Sequence, residues 1–552
     1  MTAEPNTVRV VSRLQATNLR PRDLISPIAL AIYPVLFLLA QNLDQVVVSQ
    51  AVRSLVFSFL LLLVVFVLSF IGVRDWTKAG LITSGALILF FSYGHVYELL
   101  KEWANLLARH RYLVPIWGLA LAAWVIGTWR RKQDQRTKVL LITVVSVSIL
   151  VVSGWPLLMW YLPTSGTGRS LNTNNEMIEA PNLGGPIPDR PDIYYIVLDG
   201  YGRQDVLAEL FNYDNSDFTS ALEKMGFTIA SASLSNYGHT SLSLAATLNL
   251  NYVNDLAGAM EPDSKDLRPL EELIENSAVR EIFEALGYQF VAFETGLPYT
   301  TITTADIYLV PDYSEDRQDF ALLSGLELNE FEGMFLETTL GRVALDHYIR
   351  AQSNIGEFLT GFPYKKHRNR VLFTISSLSD FAEREGEFFV FAHVISPHPP
   401  FVFGENGEEV SNTRPFSFQD DGCCTRDQYI QGYGDQAAFI SSLVKLEIAE
   451  ILARSEQPPI IVIQGDHGPG AYLAPSKNDS NLKERFAILN AMHLPGEGAD
   501  LLYPGITPVN TFRLILQEYF GVRLELIQDE SYFSPGARPY DLELIEREEL
   551  EG

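Results

Sequence analysis

The 552-residue chain carries 41 Lys and Arg against 67 Asp and Glu, a net charge of −26. That balance argues against nucleic acid as a partner, because such binding rests on cations that neutralise phosphates. The charge is unevenly spread: the residues up to Tyr161 are positive by about eight, so the remainder carries about −34. The two cysteines, Cys423 and Cys424, are adjacent and leave no spacing for thiolate zinc or haem attachment. A bridge between neighbours can form but is strained, so two free thiols are the default expectation.

Five apolar runs are long enough to approach a membrane crossing, at Ile25–Ala40, Leu55–Val73, Ala79–Tyr93, Leu113–Trp129 and Val139–Leu162. The first contains Pro27 and Pro34 and the third Gly85 and Gly94, so their ends are the least defined. Cations fix the orientation. Arg9, Arg13, Arg20 and Arg22 precede the first run, Arg74 and Lys78 follow the second, and Arg130, Arg131, Lys132, Arg136 and Lys138 follow the fourth. The alternate loops hold only Arg53, Lys101, Arg109 and Arg111. The N terminus is therefore placed in the cytoplasm, and five crossings put everything after Leu162 outside a plasma membrane. Residues 1–162 are read as a transmembrane domain, 163–191 as a linker rich in Gly, Pro, Asn, Ser and Thr, and 192–552 as an extracytoplasmic catalytic domain.

That last part alternates short β-rich runs with amphipathic stretches, the pattern of an α/β fold with a mostly parallel sheet. The expected strands are Ile193–Leu198, Phe227–Ser231, Tyr288–Phe293, Phe388–Val394 and Ile460–Gln464. Ligands gather at the carboxyl ends of such strands. Asp199-Gly200 follows the first, His239-Thr240-Ser241 the second, Ser396-Pro397-His398 the fourth, and Gly465-Asp466-His467-Gly468 the fifth. Taken singly, an Asp-Gly is usually a turn and a Thr before a helix is usually a cap. Taken together, two carboxylates and an imidazole suit a divalent cation, Zn²⁺ or Mn²⁺ first, with Mg²⁺ or Ca²⁺ as alternatives. A cation beside the Thr240 hydroxyl would make it more acidic and more nucleophilic. The helix start would favour an anionic ester, and His398 could donate to that ester or to its leaving group.

The stretches Tyr195–Gly200, Gly238–Ser241, Ser396–Phe401 and Gly465–Gly468 resemble the sulfatase-like branch of the alkaline phosphatase superfamily, and within it lipoteichoic acid synthases and phosphoethanolamine transferases. Tyr433–Ile440 and Val509–Arg513 are also reminiscent of it. The resemblance implies an alkaline-phosphatase-like domain behind five transmembrane helices, with Asp199, Thr240, Asp466 and His467 on the metal, Thr240 as nucleophile and His398 on the substrate phosphate. Ser241 is the lesser candidate for nucleophile. It further implies transfer of a phospho-headgroup from a membrane lipid to a glycan or glycolipid acceptor. The alternative is a sulfatase or phosphodiesterase that passes the group to water. Catalytic sulfatases carry Cys or Ser in a C/S-x-P-x-R element, whereas Thr240–Leu244 has neither the Pro nor the Arg. Where lipoteichoic acid synthases place Glu after the first strand, this chain has Asp199. One metal is expected, with His393 or His493 as candidates for a second.

Overall fold

The structure, a computed structural model, describes residues 20–43, 46, 48–103, 108–130, 135–161, 190–256, 260–313, 328–350, 354–410, 412, 416–418, 423–536 and 538–551. Two compact units form, one gathering the apolar helices with Phe331–Tyr348 and the other holding most of the remaining C-terminal sequence. The expected linker lies outside the described residues up to 189.

In the first unit α1 (Arg22–Gln41), α2 (Val52–Val73), α3 (Trp76–Trp103), α4 (His110–Arg130) and α5 (Arg136–Tyr161) are each long and apolar enough to cross a membrane. Within their spans α1 and α3 are 56% and 61% buried, against 11–17% for the others, so α1 and α3 form the centre. The outward leucines and valines of α2, α4 and α5 (Leu60, Leu68, Leu119, Leu140, Val152) offer the apolar face a bilayer requires. Pro27 and Pro34 lie inside α1 without ending it; packed neighbours tolerate such breaks in the ladder. A Cβ on Gly80 would sit 2.3 Å from the Asp23 carbonyl oxygen, so glycine is what lets α3 approach α1 so closely. The third helix outlasts its apolar run by ten residues, because Glu98, Leu99, Leu100 and Lys101 are good helix formers whatever their polarity.

Phe331–Tyr348, inside the expected catalytic stretch, fold with these helices. Leu340 N–H donates to the Phe90 carbonyl (2.8 Å). His110 joins Tyr93 Oη (Nδ1, 2.8 Å) to Asp346 (Nε2, 2.8 Å). Arg342 pairs with Glu98 and lies 4.4 Å over the Tyr97 ring, and Arg53 pairs with Glu332.

The second unit is built on seven strands: β1 (Ile193–Leu198), β2 (Thr228–Ile229), β3 (Gln289–Phe293), β4 (Ile307–Leu309), β5 (Phe388–Val394), β6 (Ile460–Gln464) and β7 (Asn490–His493). Their order is β2-β7-β6-β1-β5-β3-β4. β6, β1, β5, β3 and β4 are parallel, and β7 runs antiparallel to β6. In β1 alternation sends Ile193, Tyr195 and Val197 into one apolar core and Tyr194, Ile196 and Leu198 into the other. A strand covered on both faces is apolar throughout, as this one is. The expected strand 227–231 shrinks to a two-residue edge pairing, and β4 and β7 are additions. A further hairpin, β8 (Ser531–Phe533) with β9 (Glu543–Ile545), stands apart. Cys423 and Cys424 form a disulfide, against the default expectation of free thiols; it packs against the core just before the helix Arg426–Arg454.

Candidate metal centre

β1 and β6 are neighbours in register, so the residues just beyond them emerge side by side at the carboxyl edge of the sheet. Asp199 leaves β1 with its N–H still on the ladder, donating to the Val394 carbonyl at 2.9 Å. Gly200 then turns with φ +72°, a conformation that favours glycine, and its N–H donates to Asp466 Oδ1 at 3.0 Å. The two ligand-bearing turns are thereby tied to each other.

His467 adds the nitrogen. Its Nδ1 lies 2.8 Å from the Gly468 carbonyl, which fixes the proton there and turns the Nε2 lone pair inward. Nε2 is 3.7 Å from Asp199 Oδ1 and 3.5 Å from Asp466 Oδ2. Thr240 opens the helix Thr240–Leu248, and its Oγ1 lies 3.2 Å from the same Nε2. That helix is anchored by Ser243, whose hydroxyl donates to the Asp466 carbonyl at 2.7 Å. Asp199, Asp466 and His467 each offer a ligand atom within 4.8 Å of the others, all buried.

Two carboxylate oxygens here, Asp199 Oδ1 and Asp466 Oδ2, are buried without any hydrogen-bond partner. Buried charges persist when paired or bound to a cation, so the donor set fits a divalent metal. Burial alone would push the Asp199 carboxyl up, but His398, His393 and His467 outweigh it and hold the group well below the ordinary carboxylate range.

His398 arrives from the loop after β5. Its N–H donates to the Asp199 carbonyl (3.0 Å), and its ring centroid is 6.1 Å from that of His467. Nδ1 lies 2.6 Å from the Pro399 carbonyl. Ser241, the alternative hydroxyl, is buried beside Thr240 but makes no hydrogen bond to Asp199, Asp466 or His467. His493 is nowhere near: β7 sets it opposite Ile461, at the other end of the sheet, with Nδ1 on the Pro459 carbonyl (2.7 Å). The structure thus brings together Asp199, Thr240, Asp466, His467 and His398.

Sequence reasoning noted Tyr433–Ile440 without assigning it a task. Tyr433 Oη donates to the Gly200 carbonyl (2.9 Å) and accepts from Gly202 N–H (3.1 Å), clamping the first turn. Gln436, fully buried, donates to the carbonyls of Pro397 (3.2 Å) and His398 (3.1 Å). Its Oε1 accepts from Val402 and Phe403 N–H (2.8 and 3.2 Å). Their separation of three on one helix face was the available signal. Arg485, also unassigned, donates through Nε to the Gly238 carbonyl (2.7 Å) and through Nη1 to that of Gly468 (3.2 Å). It ties the loop before Thr240 to the one after His467.

No family model and no curated protein sequence matches the chain. Solved structures similar to it include the C-terminal periplasmic domain of EcEptC from Escherichia coli in complex with Zn, at 10% identity and TM-score 0.39, over 64% of this chain and 93% of that one. Another is the integral membrane lipooligosaccharide phosphoethanolamine transferase A from Neisseria meningitidis, at 13% identity and TM-score 0.34, over 85% and 88%. A third is BT1596, a 2-O GAG sulfatase, at 16% identity and TM-score 0.37, over 61% and 72%. The functional reading stands on the geometry of the site itself.

Proposed function

We propose that the chain is a metal-dependent, extracytoplasmic phosphotransferase that moves a phospho-headgroup from a membrane lipid to a cell-envelope acceptor, a glycan or glycolipid, through Thr240. The observation that carries it is the pair of unpartnered carboxylate oxygens on Asp199 and Asp466, gathered with His467 Nε2 beside the hydroxyl of Thr240 at a helix start. Asp199, Asp466, His467 and Thr240 would hold Zn²⁺ or Mn²⁺, and that ion supplies positive charge that acidifies the hydroxyl and screens the anionic ester.

The chain's own groups do the rest. Thr240 Oγ1 bonds to phosphorus as the bond from phosphorus to the lipid oxygen breaks. The proton lost by the threonine balances the one the lipid alcohol takes up. His398 stands ready to supply it when its Nε2 is protonated, since Nδ1–H is engaged by the Pro399 carbonyl. The acceptor oxygen then bonds to phosphorus as the bond to Thr240 Oγ1 breaks, and the acceptor's proton goes to Thr240 Oγ1, restoring its hydroxyl. A lipid donor favours an enzyme carrying membrane-competent helices in the same chain, because tethering raises the effective donor concentration.

Intact-mass spectrometry of the full chain, incubated with Mn²⁺ or Zn²⁺ and membrane lipids beside Thr240→Ala, tests this. A covalent increment on the unmodified protein, absent from the variant, is expected, and its size names the group moved. Ester turnover that depends on Asp466 without any adduct would replace transfer with hydrolysis. Neither adduct, turnover nor bound metal would sink the enzymatic reading.

A further inference from the structure

Asp199 presents its two oxygens in different directions. Oδ1, without a hydrogen-bond partner, is the one 3.7 Å from His467 Nε2. Oδ2 lies 3.2 Å from Nε2 of His393. That histidine interrupts an otherwise apolar strand, Phe-Phe-Val-Phe-Ala-His-Val, paired in register with Val197 two residues before Asp199. Its ring is wholly buried, and Nε2 has no hydrogen-bond partner, leaving the Asp199 carboxylate as its counterpart. A buried imidazole in such a strand costs free energy unless its polar atoms are paired.

Behind the ring stands a row of hydroxyls. His393 Nδ1 is 3.1 Å from Thr300 Oγ1, which is 2.9 Å from Thr295 Oγ1. Thr295 Oγ1 accepts from Leu297 N–H (3.2 Å), and Thr301 donates to the Leu297 carbonyl (2.8 Å). Thr295 Oγ1 also lies 3.2 Å from the Leu297 carbonyl and 3.1 Å from Thr301 Oγ1, so the row ties the Nδ1 edge of the ring to the segment that follows β3. A ligand's outer partner that fixes its orientation is worth about 10–100-fold in metal affinity.

We infer that His393, its ring anchored through Nδ1 by Thr300, is a positioning residue that stands against Oδ2 of Asp199 and so presents Oδ1 to the cation. The inference rests on Asp199 being a metal ligand, as proposed above. It differs from a role for His393 as ligand of a second ion: among the described residues only Asp199, Asp466 and His467 assemble into a ligand group.

The test is Zn²⁺ binding by the full-length, metal-stripped protein in detergent, titrated against a chromophoric chelator, with stoichiometry from elemental analysis. His393→Phe should weaken Zn²⁺ binding about 10–100-fold at an unchanged single equivalent. Thr300→Val, two bonds removed from the ligand, should weaken it in the same direction by less. Neither change should matter further in an Asp199→Asn background, an independence that a general loss of structure would not reproduce. Unchanged affinity in both variants overturns the inference, as does a fall from two equivalents to one in His393→Phe. Should His393→Phe lose its circular dichroism spectrum, Thr300→Val decides by the same criteria. A wild-type protein that binds no Zn²⁺ refutes the metal-site reading itself.

Discussion

Replacing Gln436 by Leu keeps the volume of a fully buried side chain and removes all of its polarity. Four hydrogen bonds to the loop bearing His398 disappear, two donated to carbonyls and two accepted from amides. An intramolecular bond is worth about 1 kcal/mol net, and a buried group left unpaired costs about 1–3 kcal/mol. With partial relaxation, a loss of about 4 kcal/mol is expected, concentrated where the loop joins the sheet. Hydrogen-exchange mass spectrometry on the full-length protein reads this locally, because Val402 and Phe403 amides lose their acceptor. Their exchange should accelerate about a hundredfold or more, since about 1.4 kcal/mol is a factor of ten. Exchange of that peptide unchanged from wild type, with less than about 1 kcal/mol lost in denaturant unfolding, would refute the claim that Gln436 holds the loop.

Buried neighbours give two further outcomes. Burial pushes the His367 imidazole down from 6.5 to about 3, so between those values the unfolded chain binds a proton that the native one does not. Stability from this group is complete above about pH 6.5 and is lost as pH falls, at about 1.4 kcal/mol per unit; His367→Gln should flatten the decline in thermal midpoint between pH 7 and pH 5, and an identical slope would contradict the assignment. At Gly468 an added Cβ would stand 2.0 Å from the Glu484 carbonyl oxygen. Gly468→Ala should therefore displace the backbone after His467 and weaken Zn²⁺ binding at least tenfold, with an unchanged isotherm as the refuting result.

The sheet was legible where strands are buried on both faces: β1, β5 and β6 are apolar nearly throughout, and their ends match the structure to the residue. Asp199, Asp466 and His467 were legible for the same reason, since ligands gather just beyond the carboxyl ends of strands, and these ends could be located. The antiparallel strands on the β2 side of the sheet were not. β2 keeps only Thr228 and Ile229 because its neighbour β7 offers a short antiparallel partner, and β7 itself reads Asn-Ala-Met-His, without β-branched residues. His393 was visible as a histidine but not as a partner of Asp199, because that depends on the pairing of β5 beside β1, a contact between residues almost two hundred apart. Gln436 and Tyr433 lay in a marked motif, yet their bonds reach loops that sequence order does not bring near.

Phe331–Tyr348 fold with the apolar helices while sequence on either side belongs to the sheet. The backbone therefore returns to the helix unit at Phe331 and leaves it again after Tyr348. A protease cut between Tyr161 and Arg190 should not release the C-terminal fragment, because Phe335 packs on Phe91 and Asp346 bonds to His110 non-covalently. Conversely, a fragment begun near Arg190 for expression in water would carry Phe331 and Phe335, both buried here, without the surface that covers them. Excising or re-surfacing that short return is the sound way to prepare the sheet unit by itself.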